Sequence, residues 1–258
     1  MLHGDKFSET NIYKYEEYVL IIQDLYVSQS IFMYRYIIFI IFLNPILLMG
    51  QDARSFVVKK LHCDIQVDGA LNEEFWNEAQ EANDFWLYFP SDTVKANKKT
   101  IIKMAYDDNK LCLGITCYHD GNSYVLPSLK RDFRAGGNDN ITLLFDSFND
   151  GINSFMFGLN PAGVQREGLI SGGGTSLDGF STSWDQAWTS STQIYDDKWV
   201  AEVTIPFSSV RFNPNSNIWR FNAYRFDMEA NERSTWIQIP RTQWIFNLGY
   251  MGNMLFEE

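Results

Sequence analysis

"NITLLFDSFNDGINSFMFGLN", Asn140 to Asn160, is the stretch on which the fold turns. Two short apolar runs, "NITLLFDSF" and "NSFMFGLN", flank Asn149, Asp150 and Gly151, and an Asp-Gly step tolerates the positive φ that a tight hairpin turn requires. The same letters test a second reading, because "DSFNDG" begins like a calcium loop. Phe148 occupies a required oxygen position and no ligand-bearing continuation follows, so Asp146 to Gly151 reads as a hairpin turn.

Outward from this hairpin the hydrophobic period stays near two from Gln51 to the end of the chain. Further strands are expected at "KTIIKMAYD" and "KLCLGITCYHD", joined at Asp108 and Asn109, and then at "AWTSSTQIY", "KWVAEVTIP", "IWRFNAYRFD", "STWIQI" and "GYMGNMLF". One helical piece interrupts them: in "LNEEFWNEA", Asn72 is placed to cap, Glu73 and Glu74 suit a first turn, and Trp76 and Ala79 share a face. The fold expected is all-β, an antiparallel β-sandwich of jelly-roll or immunoglobulin-like type with one short helix near its N-terminus. The glycine- and serine-rich "GLISGGGTSLDGFSTS", Gly168 to Ser183, reads as an exposed, mobile loop with the makings of a lid.

The N-terminal fifth is different. Arg35 precedes an apolar run from Tyr36 to Met49 broken by Asn44 and Pro45, which has the order and length of a secretory signal and falls short of a bilayer span. The expected layout is an upstream extension over 1–32, preceding a second plausible start at Met33, a signal peptide over 33–50, a linker over 51–60 and the sandwich over 61–256. A retained membrane anchor is the alternative for the apolar run. No cysteine follows it to carry a lipid. Export places the chain in the periplasm, at the outer membrane or outside the cell.

Charge and chemistry narrow the function. A net charge of −11 argues against tracking nucleic-acid phosphates. Cys112 and Cys117 lie five apart on one strand and point to opposite faces, so with Cys63 they read as buried free thiols. Gly172–Gly174 lacks the Lys-Ser or Lys-Thr of a phosphate cradle. Asp139, Asp146, Glu167, Asp185 and Glu202 offer carboxylates, but no spacing selects a hydrolytic pair. His119, beside Asp120 at a strand end, reads as part of a solvated turn. Asp107, Asp108, Asp139 and Asn140 are the candidates for a structural calcium ion; no other cofactor is indicated. Aromatic residues make up 16% of the chain, and sugars are held by aromatic faces with amides, carboxylates or guanidinium groups at the ring edge. "STSWDQAW" offers Trp184 and Trp188 on one strand face, and Trp244 lies in the loop before the last strand.

In order along the chain, "VDGALNEEFWNEA", "MAYDDNKLCLGITCYHD", "RDFRAGGNDNITLLFDSFNDG", "FGLNPAGVQ", "WVAEVTIPFSSVRF" and "GYMGNM" together resemble the carbohydrate-binding family 9-like domain. They resemble most the version that precedes a predicted outer-membrane β-barrel in exported bacterial proteins, over about residues 61 to 256. The resemblance implies a sandwich that binds polysaccharide ends or short sugars, often beside a glycoside hydrolase, with a barrel or outer-membrane partner. The chain ends where that barrel would begin, as a free module or a truncated product would.

The family's sugar site maps unevenly. Its first aromatic falls on Gly136, its acidic strand residue on Thr142 and its arginine near Gly158, while its asparagine is kept as Asn160 and its second stacking tryptophan corresponds to Trp244. Arg131, Trp184 and Trp188 are the expected replacements. Three functions follow: a secreted carbohydrate-binding module, a non-catalytic periplasmic interaction or plug domain, or an accessory region of a glycoside hydrolase.

Overall fold

The structure is a computed structural model that describes residues 25–27, 29, 33, 34 and 54–257. Residues 1–52 and 53–258 form separate compact units. Of the first unit, the described residues are helical. Apart from Met33 and Tyr34, the signal peptide, with the rest of the upstream extension and the start of the linker, lies outside the described residues. Among the described residues no helix is long and apolar enough to cross a membrane.

The second unit is almost entirely β. Its first strand, β1 (Ser55–Lys60), is followed by short β2 (Glu81–Ala82) and β3 (Trp86–Phe89), then by the long hairpin of β4 (Thr100–Tyr106) and β5 (Lys110–Tyr118). Strands β6 (Asn140–Asp146) and β7 (Ser154–Leu159) form the hairpin read from the sequence, continued by β8 (Gln165–Ile170) and β9 (Phe180–Ser181). β10 (Thr189–Ile194), β11 (Lys198–Pro206), β12 (Ile218–Asp227), β13 (Glu232–Thr235) and β14 (Gly252–Glu257) complete it.

These strands form one continuous sheet ordered β10-β11-β5-β4-β1-β14-β12-β6-β7-β8-β9. The sheet curls so that its two halves share a core. Ile102, Met104, Leu113, Ile115, Trp199 and Val203 from one half belong to the same buried cluster as Leu143, Phe145, Phe157 and Phe221 from the other. Period-two alternation builds this directly: β12 sends Trp219, Phe221 and Ala223 into the shared core and Tyr224 and Phe226 to the opposite face. There they join Leu144, Met156, Ile170 and Phe246 in a second cluster.

Several expectations need correction. The sheet is mixed rather than antiparallel throughout, because β1 runs parallel to both β14 and β4 and joins the two halves. Ser55–Lys60 is therefore a strand at the seam of the sheet, where a linker was expected. The helix shrinks to one 3-10 turn, Glu74–Asn77, capped at Glu73 without a side-chain hydrogen bond, so Asn72 does not cap it. Trp76 is buried under that turn, as its face predicted, in a cluster with Cys63, Ala79, Ala105 and Cys112. "STSWDQAW" is not a strand; β10 begins after it, at Thr189.

The hairpin turn after β6 shows why that stretch was readable. Asp146 accepts hydrogen bonds from the Asp150 and Gly151 amides (3.2 and 2.8 Å), and Asp150 accepts from those of Ile152 and Asn153 (2.7 and 3.0 Å). Asn149 and Gly151 take positive φ, 54° and 67°. The carboxylates that imitate a calcium loop are occupied by the backbone of their own turn.

Candidate functional site

The face of the sheet opposite the shared core carries a cavity of about 320 Å³. Its floor follows from strand register: Tyr224 pairs with Thr142, Thr142 with Gly158, and Gly158 with Arg166, so one row of the sheet reads Tyr224, Thr142, Gly158, Arg166. Tyr88, Phe180 and Phe226 line its sides, with Arg134, Gly136 and Arg233 beside them. Trp244, Ile245 and Phe246 close it from the loop before β14.

Trp244 stands at the rim. It is 42% exposed, and its indole lies nearly parallel to the Phe246 ring, 5.5 Å away at 19°. The backbone beneath it is tied down: Tyr88 Oη donates to the Gln243 carbonyl (2.7 Å), Asn247 N donates to the Trp244 carbonyl (2.9 Å), and Asn247 Nδ2 donates to Gln243 Oε1 (2.9 Å). Burial pushes the Tyr88 phenol up, against the opposing pull of Arg233 and Arg241. A flat, half-exposed aromatic on a fixed loop presents apolar area with little conformational freedom left to lose on binding.

Part of the glycine-rich stretch packs on this loop, while residues 175–178 are exposed, as expected. Its first three residues, Gly168–Ile170, belong to β8. Leu248 N then donates to the Gly173 carbonyl (2.9 Å), and a Cβ on Gly174 would come within 2.2 Å of the Phe246 carbonyl oxygen. Glycine is needed there because backbone packs against backbone.

Arg166 is the residue that the sequence reading missed. Its side chain runs along the strand row over Gly158: a Cβ on Gly158 would fall 2.6 Å from Arg166 Cγ and 3.0 Å from Thr142 Oγ1. Arg166 is 4% exposed, with its guanidinium beside the Phe133 and Phe180 rings (5.6 and 5.8 Å). Nη2 reaches the Met156 thioether at 3.7 Å, while Nε and Nη1 have no hydrogen-bond partner.

The other expected site residues lie elsewhere. Glu167 follows Arg166 and therefore points to the opposite side of β8, where it pairs with Arg131 and accepts from Trp188 Nε1 (3.2 Å). Burial pushes the Glu167 carboxyl up, and Arg131 and the Trp188 indole counter it. Trp188 is buried edge-on against Phe157, and Trp184 packs on Phe155 and Phe157. Trp184 and Trp188 thus pack on the shared core, Arg131 stays half-exposed in ion pairs with Glu167 and Asp185, and none of the three lines the Trp244 cavity. Asn160 is fully buried; its Oδ1 accepts from the Ala162 and Val164 amides and shapes the β7–β8 turn. Thr142 lies under the Arg166 stem, its hydroxyl directed at Asn140 Oδ1 (3.3 Å).

The calcium candidates separate as well. Asp107 accepts from the Asn109 and Lys110 amides and from Lys110 Nζ, and Asp108 pairs with Lys60. Asn140 spends its amide on the Ala135 and Asn138 carbonyls. Asp139 instead joins His119 and Asp227, with ligand-capable atoms all within 4.8 Å. His119 is therefore buried rather than in a solvated turn. Both Asp139 oxygens accept backbone amides, from Val125 (2.6 Å) and Met228 (2.7 Å), and Asp227 pairs with Arg225 (2.9 Å). Arg225 sets one positive charge against the two carboxylates of this cluster.

Comparison with known proteins bears on this geometry. No family model matches the sequence, and no curated protein matches it significantly. Solved structures do match: the chain has the fold of carbohydrate-binding module family 9. A protein from Bacteroides uniformis ATCC 8492, described as a "putative carbohydrate-binding protein", superposes with a TM-score of 0.63 at 14% identity, over 80% of this chain and 100% of that one. Family 9 modules from Caldicellulosiruptor kristjanssonii, in complex with cellotriose and with glucose, superpose with TM-scores of 0.55 at 14% identity. They cover 79% of this chain and 94% and 96% of those modules, respectively.

Proposed function

We propose that this chain is an exported, non-catalytic carbohydrate-binding module, and that the Trp244 cavity is its sugar site. The observation that carries the proposal is Trp244 itself: a supported, exposed indole at the mouth of a cavity whose walls combine aromatic rings with hydrogen-bond donors. The shared fold with modules solved in complex with cellotriose and glucose supports the same reading. Export is supported by the order of Arg35, the apolar run and the small residue Gly50. A role in polysaccharide use, beside a glycoside hydrolase or an outer-membrane barrel, follows from the family resemblance.

Hydrolysis by this segment is disfavoured by chemistry. Among the described residues no carboxylate lines the cavity, so the acid and base that glycoside cleavage requires are not opposed across it. Glu167 and Glu202, both buried, serve as acceptors for neighbouring donors. The second reading, an interaction or plug domain for a barrel, is favoured by Gly136 and Gly158, where the family places an aromatic and an arginine.

Isothermal titration of the chain against a glycan panel, with Trp244→Ala alongside, tests the proposal. Binding by the parent and a loss of tenfold or more in the variant is expected; identical heats from both proteins would remove Trp244 from the site. Retention on insoluble polysaccharide distinguishes the module from the plug domain.

A further inference from the structure

From the arginines of the Trp244 cavity we infer that its ligand is an acidic saccharide, with the carboxylate of a uronic acid residue taken by Arg166. The inference rests on the proposed sugar site and names the class of sugar it selects.

Charge is the first observation. The chain carries a net −11, yet among the described residues Arg134, Arg166 and Arg233 line this cavity and no Asp or Glu does. Among the described residues no carboxylate forms a salt bridge with any of the three. The second observation is the state of Arg166. Buried guanidinium groups are ordinarily paired, because the desolvation of an unpaired charge is costly. Here the whole group lacks an oxygen acceptor: Nε and Nη1 have no partner, and Nη2 reaches only a thioether, a weak acceptor. The two phenyl rings beside it offset part of the charge without satisfying a single N–H.

The site is also shaped for this side chain. Gly158 leaves the room that the Arg166 stem occupies, and any side chain at that position would evict it. A neutral sugar offers hydroxyls, which neither neutralise a buried charge nor match a planar guanidinium as a carboxylate does. Trp244 would take the apolar ring face while the carboxylate enters toward Arg166. A larger depression of about 480 Å³, near Tyr106, Phe207, Trp219 and Phe256, has no such donor; its rings pack edge-to-face on one another.

The test is isothermal titration of the full chain with trigalacturonate, its fully methyl-esterified form and cellotriose, repeated with Arg166→Gln. Trigalacturonate is expected to bind at least tenfold more tightly than its methyl ester, which keeps the sugar and removes the charge. Arg166→Gln is expected to abolish that preference, bringing the acid and its ester to the same affinity. Equal affinity for the acid and the ester overturns the inference on the parent protein alone, whatever the variant does. A preference that survives in Arg166→Gln overturns the assignment to Arg166. If cellotriose binds and trigalacturonate does not, the sugar site stands and the inference fails; if none of the three sugars binds, both fail.

Discussion

Glu202 gives the fold a pH dependence that can be worked out from its surroundings. The side chain leaves β11 fully buried, and its Oε2 accepts from the backbone amides of Asp68 (2.9 Å) and Gly69 (3.0 Å). Oε1 faces the Trp76 indole N–H (3.4 Å), which also donates to Glu73 (3.0 Å). Burial raises the Glu202 carboxyl from its ordinary 4.5 to about 7; the two amides oppose the rise and the neighbouring Glu73 adds to it. A folded pKa above the unfolded one means that the native state binds the extra proton, so this contribution to stability is full below pH 4.5 and is lost as pH rises through 7. The complete loss is about 3 kcal/mol, of which about 2.5 kcal/mol falls between pH 5 and pH 8.

Glu202→Gln reproduces the protonated carboxyl, keeping an acceptor for Asp68 and Gly69 and a donor toward Glu73. Urea unfolding of both proteins at pH 5 and pH 8 isolates the effect, since other titrating groups cancel in the difference between the two pH differences. The parent should lose about 2.5 kcal/mol more than the variant over that interval, and the variant should be the more stable protein at pH 8. Parallel pH profiles would refute the reasoning, because they would mean that Glu202 is ionised in the folded chain at no cost.

Two further outcomes follow from packing. Gly252→Ala puts a Cβ 2.5 Å from the Arg54 carbonyl oxygen and 2.6 Å from the Trp236 ring, at the seam where β14 meets β1. It should cost about 1–3 kcal/mol in urea unfolding, and an unchanged midpoint would contradict the close packing described. Cys63, Cys112 and Cys117 are all buried, and burial pushes the Cys117 thiol up to about 12. Cys112 is raised by its contact with the Cys63 thiol and by burial. Cys63 is lowered by its hydrogen bond with Cys112, so burial alone shields it. A disulfide reagent at neutral pH should label none of the three until denaturant is added; prompt labelling of the native protein would show that the Trp76 cluster or the shared core is open.

What the sequence revealed depends on how local its cause was. β6, β7, β11 and β12 were legible because alternation and turn chemistry act between near neighbours, as at Asp146, Asp150 and Gly151. The seam was not. Ser55 pairs with Asn253 across almost the whole second unit, and a parallel pair has no turn to announce it. β8 was obscured by composition, because its Gly168 and the Gly172–Gly174 run imitate a loop. Gly168 faces the Ser181 carbonyl oxygen, where an added Cβ would come within 2.5 Å, so this glycine marks close packing and not mobility.

The candidate site divides along the same line. Trp244 could be placed by its position in the loop before the closing strand and by its match to the family's stacking tryptophan, and the structure leaves it exposed at the rim. Arg166 could not, since the expected arginine was sought at Gly158 on β7, and only the pairing of Gly158 with Arg166 shows a guanidinium reaching that spot from the neighbouring strand. The exchange is physically coupled. Gly158 without Arg166 would leave a hole in the floor of the cavity, and Arg166 beside any larger residue at 158 would have nowhere to lie. Gly158→Ala should therefore act through Arg166, lowering the affinity for trigalacturonate relative to its methyl ester in isothermal titration. A glycine without a side chain of its own then counts as part of the binding site, because it determines where the charge stands.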